Sequence, residues 1–279
     1  MNRQRNNFNR PIPINITDYW LLGLIEGEGS FHLIRSRLVP VFAIKMVSDQ
    51  EPIMLAIKEF LIKRLDFDKY SLFKLNNSKL ISINYVPPKG NSKPQVFISI
   101  ENVRILYNYL LPYLKNLPFL SKKFKDFNDL VLICYTIYHK IYKNDEIKNL
   151  ILKLSNNMNN LRLSSNKDAA SLDIITRSEI ETLLFADPIS VPLNDGRSLN
   201  LMTHKLESGL GGSVFEITNN NSGEVTLADS LEECASIIGV TRNLLSKALS
   251  SSADSSFISE LFIDKYKIKR LGVFLKLPH

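Results

Sequence analysis

The stretch Trp20-Leu21-Leu22-Gly23-Leu24-Ile25-Glu26-Gly27-Glu28-Gly29-Ser30-Phe31 sets the reading of everything around it. From Tyr19 to Ile25 it is apolar on every face but one, which predicts a buried helix. Gly23 and Gly27 lie four apart and so share one stripe of that helix. Each costs about 1 kcal/mol relative to Ala in a helix interior. Close approach of a second helix backbone is the usual compensation. Gly29 suits the left-handed position that ends a helix, and a strand-like run starts at once with Phe31. Glu26 and Glu28 then sit at the negative end of the helix dipole, where charge is disfavoured unless a cation compensates. A divalent metal is the natural candidate. By spacing alone, the same residues also suit a tightly packed core helix ending in two solvated glutamates.

Downstream, Ser30–Arg35 and Val39–Met46 alternate apolar and polar side chains and read as a pair of strands with one face on a core. Asp49 is the expected N-cap of a helix with Pro52 in its first turn, running to about Arg64. Strand candidates follow at Tyr70–Leu75, Leu80–Val86 and Gln95–Ile100, with a basic break over Pro87–Pro94. Val103–Leu114 reads as another helix. Helices alternating with pairs of strands predict an α+β fold, an antiparallel sheet with helices packed on one face.

The motif Leu21-Leu22-Gly23-Leu24-Ile25-Glu26-Gly27-Glu28-Gly29 resembles that of the LAGLIDADG homing endonucleases and intron maturases. The resemblance implies an αββαββα core with a saddle-shaped sheet, one face under the helices and the other in the DNA major groove. A β-ribbon fits that groove and presents alternate side chains to base edges. Arg35, Arg37 and Lys45 would read the DNA there. The resemblance further implies that two motif helices cross at Gly23 and Gly27, and that Glu28 binds the catalytic Mg²⁺. The segment Leu117-Pro118-Phe119-Leu120-Ser121-Lys122-Lys123-Phe124-Lys125-Asp126-Phe127 is followed by helical runs over Leu130–Tyr142 and from about Glu146, ending near Met158–Ser164. These look like the fungal mitochondrial branch of the family, which places one lysine beside the scissile phosphate; by register that is Lys123. The likeness therefore spans residues 17–165. Two departures stand out: Met46 occupies a position where active members often carry a water-ordering Gln, and Glu28 replaces the more usual Asp.

Hydrolysis of a phosphodiester needs an activated water, charge relief and in-line geometry, which two Mg²⁺ about 4 Å apart supply together. Only one motif is visible, so cutting both strands requires a homodimer packed through Gly23 and Gly27.

Residues 166–212 change character and read as a linker with a short helix near Ser178–Phe185. Residues 213–279 form a second unit, in which Val214–Ile217 and Glu224–Leu227 flank a turn and predict a hairpin. Ser230 with Glu233 forms a capping-box pattern, Gly239 ends a first helix and Thr241 caps a second. Two short helices joined at a glycine suit a helix-turn-helix, or an ordinary helical hairpin. The block resembles small modular DNA-binding repeats appended to intron-encoded nucleases, which would turn Arg242, Asn243 and Lys247 towards nucleic acid.

The 279 residues are 44% hydrophobic and carry a net charge of +7, permissive of a nucleic-acid partner without specifying one. No window is apolar enough to span a membrane. Cys134 and Cys234 lie far apart and read as buried thiols, and the four histidines form no zinc spacing. Residues 1–16 read as a flexible basic arm. The bias towards Asn, Lys, Ile and Leu fits a gene of an A+T-rich organellar genome and so a mitochondrial protein. Three functions stay open: a Mg²⁺-dependent endonuclease that cuts double-stranded DNA in an intronless allele, a maturase binding group I intron RNA, and a cleavage-dead DNA-binding relative.

Overall fold

The computed structural model describes residues 15–65, 80–159, 174–193, 197–207, 214–228, 230–251 and 260–271. Helix α1 spans Asp18–Glu28, and its first turn is closed by the Thr17 hydroxyl, which accepts from the Trp20 amide at 3.2 Å. Leu21, Leu22 and Ile25 form its buried stripe. Gly29 follows in extended conformation (φ −69°, ψ 149°), not in the expected left-handed one. Glycine is needed there for a different reason: a Cβ would lie 2.5 Å from the Ile25 carbonyl oxygen and 2.9 Å from its Cα. The helix turns straight into a strand, and only a residue without a side chain fits the corner.

Strands β1 (Gly29–Ile34), β2 (Val39–Val47), β3 (Ser82–Val86) and β4 (Gln95–Ile100) make one antiparallel sheet in the order β1-β2-β4-β3. Phe31 faces Phe42, which faces Ile100; Ile44 faces Ile98, which faces Ile83. These rows point into the core, and the alternate rows, Ser30-Ala43-Ser99-Ser82 and Lys45-Phe97-Asn84, point the other way. Pairing between β1 and β2 runs without a slip from Gly29↔Ile44 to Ile34↔Val39. The register therefore keeps Met46 on the inward side, where it packs against the core.

The inward face is covered by helices. Helix α2 (Glu51–Arg64) begins after a 3₁₀ turn, Ser48–Gln50, so Asp49 sits within that turn and Gln50 takes the cap position expected of Asp49. The next helix, α3, runs through Val103–Ile105, a π-helical stretch Leu106–Leu110, and Leu111–Lys115. Its start is capped by the Asn102 side chain, which accepts from Arg104 and Ile105 amides. Helix α4 (Lys123–Tyr138) starts seven residues before the expected Leu130 and stops short of Tyr142, two residues before Lys140, which is in left-handed conformation. Phe127 extends its apolar stripe backwards, stacking on Phe119 at 5.1 Å and meeting Phe31 edge-on at 5.8 Å. Helix α5 (Asp145–Asn156) is capped by Asn144. At the other end of the layer, Arg64 makes a bidentate pair with Asp18 (2.9 and 2.8 Å), and the Tyr113 hydroxyl donates to the same carboxylate. That cluster ties α1, α2 and α3 together.

The region read as a linker holds more than its one helix, α6 (Arg177–Leu184), which is capped by a Thr176–Glu179 box. A three-stranded sheet, β5 (Ser190–Pro192), β6 (Ser198–Asn200) and β7 (Leu206–Glu207), follows it. Glu207 accepts from Lys140 at 2.9 Å, Lys143 at 3.0 Å and Asn200 at 2.7 Å, and the Ser190 amide donates to the His139 carbonyl. Strands of two and three residues carry too little alternation to be read from sequence.

Residues beyond 213 have a core of their own, built on Phe215, Ile217, Cys234, Ile238, Leu245 and Ile268. Strands β8 (Val214–Asn219) and β9 (Val225–Ala228) form the expected hairpin, and helices α7 (Leu231–Ile238) and α8 (Arg242–Ser251) the expected pair. Gly239 between them is left-handed at φ +75°. A second hairpin, β10 (Glu260–Ile263) and β11 (Tyr266–Leu271), completes a sheet ordered β10-β11-β8-β9. The strand candidate Tyr70–Leu75, most of the basic arm and the stretch 160–165 lie outside the described residues.

Candidate active site beside the open face of the sheet

The outward rows of β1, β2 and β4 line a shallow hollow of about 420 Å³, bordered by Ser30, His32, Val41, Ala43, Lys45 and Ser99. Ile34, Val86 and Phe97 line it as well, so the hollow is mostly apolar. His32 accepts or donates a hydrogen bond with Ser30 at 3.2 Å, and burial lowers its pKa, with Glu101 pulling the other way. Of the three cations expected to read DNA, only Lys45 stands on a strand of this face, exposed. Arg35 and Arg37 are in the turn between β1 and β2. Arg35 bonds Asn156 at the end of α5, and Arg37 lines a neighbouring hollow with Leu38, Glu101 and Tyr142.

The corner where α1 passes into β1 brings the two expected catalytic residues together. Glu28 is the last residue of α1, exposed, and forms no hydrogen bond or ion pair among the described residues. Lys123 opens α4, and its Nζ donates to the Gly29 carbonyl at 2.6 Å, one residue from Glu28. A carboxylate and an ammonium 95 positions apart in sequence thus share one corner. Lys122 and Lys125 flank Lys123, both exposed. Three cations at the positive end of a helix are each disfavoured by about 0.3–1 kcal/mol, and an anion arriving there relieves them.

Glu26, the other motif carboxylate, behaves differently. Its Oε1 accepts from the Leu120 and Ser121 amides, both at 2.6 Å. Burial works against its charge, but these backbone hydrogen bonds, with the Ser121 hydroxyl, outweigh that and hold its pKa below the ordinary carboxylate value. The motif spacing gave no sign of this division, because the partners lie 94 residues away in the chain.

Gly23 and Gly27 both lie open: a Cβ on either would meet nothing within 4 Å. Tyr19 and Trp20 are exposed on the same helix. Among the described residues there is no cluster of three or more His, Cys, Asp or Glu that could hold a metal by itself. A hard divalent ion fits Glu28 on other grounds, since one uncommitted carboxylate suffices when water and phosphate oxygens complete the shell.

In the second unit, Arg242, Asn243 and Lys247 are exposed on α8, with Leu245 turned into the core. Arg242 lies 3.7 Å from Glu232 of α7. The Thr241 hydroxyl accepts from the Leu244 amide, and the Ser230 hydroxyl from the Glu233 amide. No helix among the described residues is long and apolar enough to cross a membrane.

The family model described as LAGLIDADG endonuclease matches residues 21–134. An uncharacterized mitochondrial protein of Saccharomyces cerevisiae, RF1, is 25% identical over 277 residues, a match that takes in 94% of this chain and 55% of the relative. The chain thus spans about half the length of that curated relative. Among solved structures, the meganuclease I-SmaMI bound to uncleaveable DNA matches with a TM-score of 0.40 and 23% identity, over 54% of this chain and 47% of its own. The LAGLIDADG meganuclease I-AabMI bound to uncleaved DNA matches with a TM-score of 0.41 and 16% identity, over 93% of this chain and 79% of its own. Residues 21–134, which hold the motif helix, the four-stranded sheet and the start of α4, are thus the part of the chain that is similar to the LAGLIDADG endonucleases.

Proposed function

We propose that this chain is a site-specific DNA endonuclease that makes a Mg²⁺-dependent double-strand break in an intronless allele, in the mitochondrion. The observation that carries the reading is the Lys123 ammonium seated on the Gly29 carbonyl, one residue from a Glu28 that takes no partner among the described residues, at a corner beside an open sheet face. Glu28 would hold the metal, which when bound lowers the pKa of a coordinated water and relieves charge on the phosphate. Lys123, anchored on the Gly29 carbonyl, directs its ammonium to charge developing on the scissile phosphate. The open face of the sheet supplies the docking surface, with Lys45 and His32 among the groups that meet the groove. The yeast relative's mitochondrial assignment supports the compartment.

One corner cuts one strand. A second copy, packed on the open stripe of Gly23 and Gly27, would bring a second Glu28 beneath the DNA. The unit beyond residue 213 would grip flanking duplex through Arg242, Asn243 and Lys247. A second reading, a maturase that binds group I intron RNA, draws support from Met46. That side chain packs inward and cannot order a water, and the unbroken β1–β2 register leaves Lys45 as the neighbouring polar group of β2 on the open face.

The test is incubation with the intronless allele of the host gene and Mg²⁺, for the parent and for Glu28→Gln. A defined break by the parent is expected, and none by the variant, with DNA affinity held or improved because a negative charge near phosphate is removed. Cleavage surviving in Glu28→Gln would remove Glu28 from the mechanism. Binding of the intron RNA without any DNA break would favour the maturase.

A further inference from the structure

The two motif glutamates are separated by one residue, yet the fold puts them to different uses. Glu28 takes no partner among the described residues, whereas Glu26 Oε1 is shared by the amides of Leu120 and Ser121 at 2.6 Å each. Those residues are the lead-in to α4, whose first residue is Lys123. The lead-in has little else to hold it. Phe119 is anchored among Phe31, Phe124 and Phe127, but the Leu120 side chain is 89% exposed, and Ser121 and Lys122 are exposed as well. Among the described residues, two attachments tie Leu120–Lys123 to α1 and β1: the Glu26 carboxylate under the backbone, and the Lys123 ammonium on the Gly29 carbonyl.

We infer that Glu26 is a positioning residue, which through the backbone of Leu120 and Ser121 sets where the Lys123 ammonium rests beside Glu28. The assignment of a catalytic purpose to this staple rests on the reading of Glu28 and Lys123 given above. Glu26 acts as an acceptor and not as a metal ligand, so what matters is an oxygen at the Oε1 position. Hydrogen bonds from backbone amides to a carboxylate are about twice as strong as neutral ones. Without them the lead-in is free to shift, and a displacement of about 1 Å at a catalytic group can cost about 10²-fold in rate.

Two measurements on the full-length chain test the inference. The first is the acetylation rate of individual lysines, read by mass spectrometry, in the parent, Glu26→Ala and Glu26→Gln. Lys123 should label several-fold faster in Glu26→Ala, while Lys122 and Lys125, already exposed, stay as they are. Glu26→Gln keeps an acceptor oxygen and should restore most of the protection. The second is single-turnover cleavage at saturating DNA. Glu26→Ala should lose about 10²-fold in rate with DNA affinity retained, Glu26→Gln should recover the larger part, and adding Glu26→Ala to Lys123→Met should cost nothing further. Unchanged Lys123 labelling in Glu26→Ala overturns the inference, as does additive loss in the double variant. If the parent never cuts DNA while Lys123 labelling responds as expected, the staple stands and the nuclease reading falls.

Discussion

Gly29→Ala tests the corner on which the site is built. The backbone there (φ −69°, ψ 149°) is open to any residue, so Ala meets no torsional penalty. By itself it would stabilise the chain by about 0.4–1 kcal/mol through the unfolded state. The new Cβ, however, falls 2.5 Å from the Ile25 carbonyl oxygen and 2.9 Å from Ile25 Cα and Cγ2. Ordinary contact needs about 3.5 Å or more, so β1 must move off α1 by roughly 1 Å. Overpacking of this kind costs about 1–3 kcal/mol, and a backbone oxygen cannot swing aside as a side chain can. The net expectation is a loss of about 1–2 kcal/mol. Urea unfolding followed by the fluorescence of Trp20, the chain's one tryptophan, reads α1 directly. Gly27→Ala is the internal control: with nothing within 4 Å of its Cβ, it should gain about 0.8–1 kcal/mol of helix propensity in the monomer. Cleavage by Gly29→Ala should fall further than stability does, because the carbonyl that holds Lys123 moves with the corner. Equal stability of Gly29→Ala and the parent, or a shift in the same direction for both variants, would refute the close-contact account.

Gly23→Leu should keep the monomer folded, since its site is open, yet abolish concentration-dependent dimerisation in sedimentation; a wild-type chain that cuts both strands as a monomer would contradict the assembly proposed here. Hydrogen bonds from Asn200, Lys140 and Lys143 depress the Glu207 pKa from 4.5 to about 2, so its contribution is complete above pH 4.5 and is lost as pH falls towards 2. Amide exchange at Ser190 and Asn200 should therefore rise across that window, and Glu207→Gln should remove the pH dependence of the three-stranded sheet. Deleting residues 213–279 should shorten the DNase footprint on the target and flatten the salt dependence of binding while the cut position stays fixed; an unchanged footprint would show that α8 does not touch DNA.

The sheet was legible because its strands alternate cleanly: Phe31 and Leu33 go in while Ser30 and His32 go out. The helix pair of the second unit was legible through local chemistry, the Ser230 and Thr241 caps and the left-handed Gly239. What escaped reading depends on distant contacts. Glu207 anchors a sheet of very short strands to Lys140, 67 residues away, and Glu26 reaches across 94 residues to Leu120. The early start of α4 was obscured by its own first turn, where Lys122, Lys123 and Lys125 look like a solvated basic loop, although Phe124 and Phe127 already carry the helical stripe. The sequence suits Gly29 to a left-handed cap, whereas the structure uses it at a steric corner, and the two leave the same mark in a sequence.

The charges at the corner are placed against their helices. Glu28 stands at the negative end of α1, and Lys123 at the positive end of the 16-residue α4. Each arrangement is disfavoured by about 0.3–1 kcal/mol, and exchanging the two residue types would relieve both. They form no ion pair with one another: Lys123 spends its ammonium on the Gly29 carbonyl, and Glu28 takes no ion-pair partner among the described residues. A divalent cation on Glu28 and a phosphate at the start of α4, as proposed above, would relieve both mismatches at once, and a metal-bound phosphodiester would bring those two charges together in one ligand. The sign pattern of the bare corner is thus the complement of the substrate proposed for it, which a structural salt bridge between the same residues would have no reason to be.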